Sequence, residues 1–289
     1  MWDLGLSIIF SSVIFVVFKM YSRTGIDTSY AIVVNYLVAS LVGFSLSPKS
    51  VILTEIPGKP WFWGTLILGV LFILVFNLMA ATSQRSGISV ASVATKMSLV
   101  IPVIIGVVAY NEKLGPLKVV GIALALAAVY FSSAKAKSTP SKKSTYLLPV
   151  LVFLGSGLID SSIKFLEETR IPKDEFPLFS ATVFAFAATT GLLFVAIKPS
   201  QGKNKKKFTT KNILGGIALG VPNYFSIYFL LAALQHETLN SASIFTINNV
   251  AIVMITTLLG IMLFKEEVSI KNWTGIGLAV ISILLVAYF

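Results

Sequence analysis

The sequence predicts an all-α polytopic membrane protein with ten transmembrane helices arranged as two inverted five-helix repeats. Three observations lead there: an apolar composition, ten apolar segments of membrane-spanning length, and a motif that recurs in the two halves. The 289 residues are 56% hydrophobic and only 12% charged, whereas a typical soluble domain has about 25% charged residues. With a mean hydropathy of +0.88, the chain has too few polar side chains to cover a water-facing surface.

The ten apolar segments follow one another with short connections. Because a helix needs roughly 20 apolar residues to cross the hydrocarbon core, ten such helices use most of the chain and leave no room for a sizeable extramembrane domain. The predicted spans are 3–21, 29–46, 61–83, 90–110, 116–134, 147–166, 177–197, 212–234, 241–264 and 272–289.

A short motif marks the repeat. Tyr-Asn-Glu-Lys-Leu at 110–114 is followed by Gly121, nine residues after Glu112, and Phe-Lys-Glu-Glu-Val at 264–268 is followed by Gly275, nine residues after Glu266. Since each copy has five spans, an odd number, the second copy must cross the bilayer in the opposite sense. Inverted repeats are typical of secondary transporters, whose binding sites lie near the bilayer midplane where the repeats meet.

The repeats divide the chain into three parts. Residues 1–134 form the first repeat, 135–146 a basic linker and 147–289 the second repeat. The odd-numbered connections carry 15 lysines and arginines and the even-numbered ones carry 7. Positively charged connections tend to stay in the cytoplasm, which predicts cytoplasmic odd connections, both termini outside, and a multi-pass protein of the plasma (inner) membrane.

Composition also excludes several kinds of chemistry. The chain has no cysteine and one histidine, which excludes disulfides, thiolate nucleophiles and cysteine–histidine zinc sites. No cofactor or metal is implied. The net charge of +11 comes from lysines between apolar spans without any recognisable nucleic-acid-binding motif, so topology explains it better than nucleic acid does.

Spans four and five carry the most recognisable residues. Ala91-Ser92, then Pro102, then Glu112-Lys113-Leu114 and Gly121 stand in the first copy, and the second keeps Ala242-Ser243, Glu266 and Gly275. In these motifs, over nearly the whole chain, the sequence resembles the drug/metabolite transporter superfamily, specifically a ten-span permease with two EamA domains. The resemblance implies export or import of small organic solutes such as amino acids, metabolites or drugs.

Lys96 is the sharpest candidate for a binding residue. Charged side chains within a span are costly and each is therefore a functional hypothesis. Lys96 lies seven residues into the predicted fourth span, beside Thr95, and could hold a carboxylate or phosphate of the substrate. The alternative is a lysine that extends to the cytoplasmic interface or is paired inside the bundle.

Asp160 is the second ionisable group within a span, near the middle of span six. It could couple transport to protons or act as the counter-ion of Lys96, and these roles predict opposite protonation behaviour because burial raises the pKa of a carboxyl group and a neighbouring ammonium lowers it. A purely structural carboxylate, bonded to neighbouring hydroxyls, is the alternative.

Amides and a phenol complete the candidate substrate-binding set. Of the adjacent Asn248 and Asn249 in span nine, one is expected to face the cavity and the other to bond between helices, since neighbours on a helix differ by about 100°. Each residue alone could equally join membrane helices, but together they make a polar cavity plausible. The full set is Lys96, Thr95, Asn35, Asn77, Asn223, Tyr228, Asn248 and Asn249.

Three further expectations concern packing. Lys19 and Gln84, near span ends, are interpreted as interfacial anchors, and Glu112 and Glu266 as carboxylates attracted by the positive end of the helix that follows each. Gly216 and Gly220 have the small-xxx-small spacing that allows two helices to approach closely.

The function predicted from all this is secondary transport of a small organic solute by alternating access, with an amino acid or related carboxylated metabolite as substrate. A lipid or lipid-carrier flippase is the alternative. An intramembrane enzyme is the least favoured alternative, because Asp160 is the only acidic residue deep in a span and an aspartyl mechanism needs two carboxylates. The expected partners are the substrate and the bilayer; proton coupling and a homodimer are left open.

Overall fold

The structure, a computed structural model, describes residues 2–46, 53–110, 115–132, 146–172, 175–197, 208–234 and 241–288. Within these ranges the chain forms α-helices and one short 3₁₀ helix, Leu53–Gly58, and no strand. The first repeat contains α1 (Trp2–Thr24), α2 (Thr28–Leu46), α3 (Phe62–Ser86), α4 (Ile88–Met97), α5 (Val100–Tyr110) and α6 (Pro116–Ser132), and the second contains α7 (Leu147–Thr169), α8 (Phe176–Ile197), α9 (Thr210–Leu234), α10 (Ser241–Phe264) and α11 (Ile270–Tyr288).

The helices confirm the predicted all-α membrane fold. Eight segments are long and apolar enough to cross a membrane, with α4 and the start of α5 together making one of them, and two shorter apolar helices lie within α6 and α11. Observed helix ends differ from the predicted ones by at most three residues. The linker 135–146 lies outside the described residues except for Tyr146, and Glu112 lies outside them as well.

Span four is not one helix, contrary to the prediction of a single helix over 90–110. Helix α4 ends at Met97 and α5 begins at Val100. The cause is Pro102, which has no N–H to donate to the carbonyl four residues earlier and whose ring crowds that carbonyl. The abandoned acceptor is the Ser98 carbonyl, and the Ile101 N–H bonds it instead at 2.9 Å. This tighter i→i+3 turn interrupts the helix about halfway along the span.

The contacts between the repeats have twofold symmetry. A twofold operation that exchanges the repeats turns the α1–α9 contact into α7–α3, the α2–α9 contact into α8–α3, and the α4–α7 contact into α10–α1. All six helix pairs are in contact. The α2–α8, α4–α10 and α6–α11 contacts map onto themselves, and they are present too. The repeats are therefore interlocked rather than laid side by side.

Glycines set the closest of these contacts. The motif residues Gly121 and Gly275 face each other's helices: a Cβ on Gly121 would lie 2.8 Å from Val286, and one on Gly275 would lie 2.4 Å from the Ser132 nitrogen. The predicted close contact at Gly216 and Gly220 is confirmed, because both pack against α2 with no space for a side chain.

Ser269 is the N-cap of α11. The Ser269 Oγ accepts a hydrogen bond from the Asn272 N–H at 3.2 Å, and the Asn272 Oδ1 accepts one from the Ser269 N–H at 3.0 Å. This reciprocal pairing satisfies two N–H groups that the first turn of a helix leaves without partners. It fixes where the last span begins.

Candidate functional site

The break in span four brings the two ionisable groups of the spans together. Lys96 is in the last turn of α4. The Ser98 hydroxyl, at the break, lies 3.1 Å from the Asp160 Oδ2 of α7 and 2.6 Å from the Thr95 carbonyl oxygen. The charges of Lys96 and Asp160 interact. Among the described residues, however, the ion pairs within 4.0 Å do not include this one, so the two groups are neighbours without direct contact.

Asp160 faces away from the lipid side of α7. Leu154, Leu158 and Phe165 are exposed along one face of this helix, as expected for a lipid-facing stripe. Asp160 is exposed as well, but successive residues turn by about 100°, so it lies roughly 200° around the helix from Leu158. Its carboxylate therefore opens onto space inside the bundle, next to the break.

Helix ends at the break match the two charges. The C-terminal end of a helix carries a partial negative charge and the N-terminal end a partial positive charge. Lys96 lies at the C-terminal end of α4, where a cation is stabilised. Asp160 approaches Ser98, just before the N-terminal end of α5, where an anion is stabilised. Broken helices with such ends are a recurrent way of building solute sites inside membranes.

The two amides of span nine have separate surroundings. Asn248 is buried and its Oδ1 accepts a hydrogen bond from the Ser7 hydroxyl of α1 at 3.2 Å. The same hydroxyl lies 2.8 Å from the Ser226 carbonyl of α9. Asn249 is partly exposed. The expectation that one of the two amides bonds between helices is met by Asn248, while Asn249 retains access to open space.

Asn35 and Asn223 bond to each other. The Asn223 Nδ2 donates to the Asn35 Oδ1 at 3.2 Å across the α2–α9 contact, and both residues are buried. The Asn35 Nδ2 is itself buried without a hydrogen-bond partner in the described part of the chain. These two amides occupy a tight helix interface beside Gly220 and not the neighbourhood of Lys96.

The remaining candidates are less deeply buried. Asn77 is partly exposed on α3 and its Nδ2 donates to the Ile73 carbonyl at 2.7 Å. Thr95, next to Lys96, is partly exposed and its hydroxyl donates to the Ala91 carbonyl at 2.9 Å. Tyr228 is 46% exposed and packs against the rings of Phe225 and Phe229 in the C-terminal part of α9.

Sequence reasoning missed one charged contact that matters for the site. The sequence predicts that the Glu266 carboxylate stabilises the start of α11, the helix that follows it, and this prediction is wrong. The carboxylate accepts hydrogen bonds from the Ile88 N–H at the start of α4, at 3.0 and 3.2 Å, and pairs with Lys19 at 3.4 Å. Lys19 is therefore more than an interfacial anchor. The partners are 178 residues apart, and the sequence holds no local signal for them.

Taken together, these features define a polytopic helical membrane protein with a polar centre at a broken helix between two inverted repeats. The sequence profile of the EamA-like transporter family matches residues 4–134 and 143–288. The chain belongs to this family. Its members are membrane transporters, and the two matched stretches correspond to the two five-helix repeats.

Two individual proteins extend the comparison. An uncharacterized protein of Haemophilus influenzae (strain ATCC 51907 / DSM 11121 / KW20 / Rd) is 28% identical over 299 residues, covering 100% of this chain and 98% of the relative. A crystal structure of another protein superposes with a TM-score of 0.57 at 15% identity, covering 98% of this chain and 94% of that one. At that identity the second likeness concerns the fold alone.

Proposed function

We propose that this protein is a secondary transporter that moves a small organic solute, an amino acid or a related carboxylated metabolite, across the membrane by alternating access. The observation that carries the proposal is the pair formed by Lys96 and Asp160 at the broken span. Ionisable groups are expensive inside a membrane and mark solute or ion pathways. Two opposite charges held near each other without direct contact leave room for a solute that carries charge.

In this proposal Lys96 contacts the anionic group of the solute. The alternative role from the sequence, a lysine that extends to the interface, is less favourable because Lys96 lies eight residues above the start of α4, about 12 Å along the helix. Asn249, Asn77 and Thr95, which are partly exposed, provide hydrogen bonds to the solute. Asn248, Asn223 and Asn35 hold the helices together, and Tyr228 contributes nearer the end of the bundle.

Asp160 is the coupling or counter-ion group of the proposed transporter. As a counter-ion it would balance Lys96 whenever the solute is absent. As a proton carrier it would exchange its proton on each cycle and make transport depend on the pH gradient. Proton coupling stays a prediction, as do a homodimer, location in the plasma (inner) membrane, and termini on the outer side.

The test is a thermal-shift screen of purified protein against carboxylated metabolites, because a ligand that binds only the folded state raises its stability by mass action. A ligand at about 100 times its Kd adds about 2.7 kcal/mol. We expect a carboxylated solute to stabilise the wild type and K211Q, which changes an exposed lysine on α9, but not K96Q. Equal stabilisation of K96Q would remove the proposed role of Lys96.

A lipid flippase remains a second candidate because of one specific feature. An apolar groove of about 710 Å³ runs along the outside of α2 and α8 and is lined by Tyr30, Thr189, Leu192, Leu193, Val195, Ala196 and Phe208. An apolar opening towards lipid would suit an acyl chain. However, its lining includes no residue of α4 or α7, so it is separate from Lys96 and Asp160. Movement of fluorescent phospholipids between the leaflets of reconstituted vesicles would favour this candidate.

A further inference from the structure

One carboxylate fastens the two repeats together at the end where α4 begins. Glu266 belongs to the connection between α10 and α11 in the second repeat, yet its side chain serves the first repeat. Its two oxygens lie 3.0 and 3.2 Å from the Ile88 N–H, and Oε2 lies 3.5 Å from the Ser89 hydroxyl. An anion at the N-terminal end of a helix is stabilised by the unpaired N–H groups and the helix dipole.

The end of α1 closes the same contact from another side. The Lys19 ammonium pairs with the Glu266 Oε1 at 3.4 Å and donates to the Gln84 carbonyl of α3 at 3.3 Å. One turn further on, the Arg23 guanidinium donates to the Phe264 carbonyl at 3.0 Å and stacks over the Phe264 ring at 4.8 Å. We call the contacts of Glu266 with Ile88, Ser89 and Lys19 the Glu266 clasp.

The backbone around the clasp is shaped to receive this carboxylate. A Cβ on Gly87 would lie 2.7 Å from the Glu266 Oε2, and one on Gly260 would lie 2.6 Å from the same atom. Gly87 also has a φ of +109°, which residues with a side chain rarely adopt. Two glycines in different repeats therefore leave a space that the carboxylate fills.

The residue before Glu266 adopts an unusual conformation as well. Lys265 has a φ of 53° and is the single non-glycine residue with a positive φ in the described part of the chain. This left-handed turn ends α10, and the Glu266 N–H then bonds the Gly260 carbonyl at 3.0 Å. The turn directs the Glu266 side chain towards α4 rather than towards α11.

The clasp lies at the end of the bundle where α4 begins, and Lys96 lies further along the same helix. Lys96 follows Ile88 by eight residues, about 12 Å of helix, and one turn above the clasp the buried Thr256 of α10 donates to the Ser92 hydroxyl of α4 at 2.7 Å. Alternating access requires the repeats to part at one end and then at the other. At this end, parting α4 from α10 must break the clasp.

From these contacts we infer that Glu266 is the closing residue of a gate: with the clasp formed, solute cannot reach Lys96 from the end where α1 finishes and α4 begins, and releasing the carboxylate opens that end. The inference rests on the proposed transport function for its purpose, but the contact and its opening are measurable without any solute. Two different readouts therefore separate the gate from the transport activity.

The first readout is thiol labelling, which the chain allows because it has no native cysteine. S92C is the reporter, because Ser92 lies one helical turn after Ile88 and is buried between α4 and α10. S40C is the matched reporter, buried between α2 and α8, where the Ser40 hydroxyl bonds the Ala181 carbonyl. Detergent-solubilised protein is treated with a small maleimide, so that both ends of the bundle meet the reagent.

We expect E266Q to speed the labelling of S92C by about tenfold, which corresponds to about 1.4 kcal/mol, and to leave the labelling of S40C unchanged. E267Q removes the neighbouring exposed carboxylate and is expected to leave both rates unchanged. A faster S40C in E266Q would mean that the whole fold has loosened. That result, or an unchanged S92C in folded E266Q, overturns the gate.

The second readout is transport of the solute identified by the thermal-shift screen. A short cross-linker that joins S89C and E266C through disulfide bonds is expected to abolish uptake into vesicles, and cleavage of those disulfides by a reductant is expected to restore it; the native side chains lie 3.5 Å apart. Uptake that persists in the cross-linked protein contradicts the gate and leaves the transporter intact. If E266Q speeds the labelling of S92C but the protein transports no solute, the result contradicts the proposed transport function and still supports the gate.

Discussion

Glu175 shows how a single carboxylate can tie two connections together at the other end of the bundle. The Lys59 ammonium donates to its Oε1 at 2.5 Å, and the buried Trp61 indole N–H donates to its Oε2 at 2.7 Å. The hydrogen bond from Lys59 is the main reason that the pKa of Glu175 lies below its ordinary value of 4.5. The carboxylate joins the start of α8 to the connection before α3.

This lowered pKa predicts how stability should depend on pH. A carboxyl group whose pKa is lower in the folded state stabilises the fold above its ordinary pKa, and that contribution is lost as the pH falls through the lowered value. At neutral pH we expect E175Q to be less stable than the wild type by about 1 kcal/mol. The difference should shrink as the pH falls below the ordinary pKa of 4.5 and vanish once the pH is below the lowered pKa, measured as thermal unfolding of the purified protein across this range.

The matched control is E55Q, which changes an exposed carboxylate of the connection that contains Lys59 and should follow the wild type at each pH. If E175Q and the wild type kept a constant difference in melting temperature down to acidic pH, ionisation of Glu175 would not be the source of the stability.

At the residue scale, the sequence predicted the ionisable groups of the spans but not their partners. Lys96 and Asp160 are conspicuous because each interrupts an apolar segment. The Ser98–Asp160 hydrogen bond joins residues 62 positions apart, and the Glu266–Ile88 bond joins residues 178 apart. Contacts of this kind depend on how helices pack, which apolar periodicity does not encode.

Among the secondary structure elements, the broken fourth span departs most from what its composition suggests. Its 18 residues from Ile88 to Ile105 are apolar enough to be one membrane helix, and apolarity was the basis for predicting one. Pro102 belongs to the residues that resemble the family, yet a proline can bend a membrane helix or interrupt it, depending on which neighbours satisfy the freed carbonyl. Here the Ile101 N–H does so, and the interruption falls beside Lys96.

The close contact between α2 and α9 at Gly220 can be tested by substitution. Gly220 of α9 lies so close to α2 that an added Cβ would be 2.7 Å from the Asn35 carbonyl oxygen, whereas a Cβ on Gly277 of α11 would meet no atom within 4 Å. We expect G220A to destabilise the protein by about 1–3 kcal/mol, because the neighbour is backbone and cannot move aside cheaply.

The same substitution at Gly277 is the control. G277A is expected to be neutral or slightly stabilising, because alanine favours a helix by about 1 kcal/mol over glycine. Both variants are compared with the wild type by thermal unfolding in detergent. Equal melting temperatures for G220A and G277A would show that the α2–α9 contact can widen without loss, and hence that Gly220 does not set the distance between these helices.

For the molecule as a whole, the connections sort onto two faces. The Glu266 clasp and Arg23 join the ends of α1 and α10 to the start of α4, which places three odd connections together. The Lys59–Glu175 pair joins two even connections. This sorting is expected when each span crosses the bilayer, because successive connections then alternate between its two faces. Which face meets the cytoplasm depends on the lysines and arginines instead.

The lysine and arginine asymmetry, 15 on the odd connections against 7 on the even ones, predicts that the odd face is cytoplasmic. In the cysteine-free chain, S22C at the end of α1 reports on the odd face and T169C at the end of α7 on the even face, and both positions are exposed. In intact cells expressing the protein, a membrane-impermeant maleimide should label T169C and not S22C, and permeabilisation should make both reactive. The reverse pattern would place the Glu266 clasp at the outer surface, so that the same gate would close Lys96 off from the outside rather than from the cytoplasm.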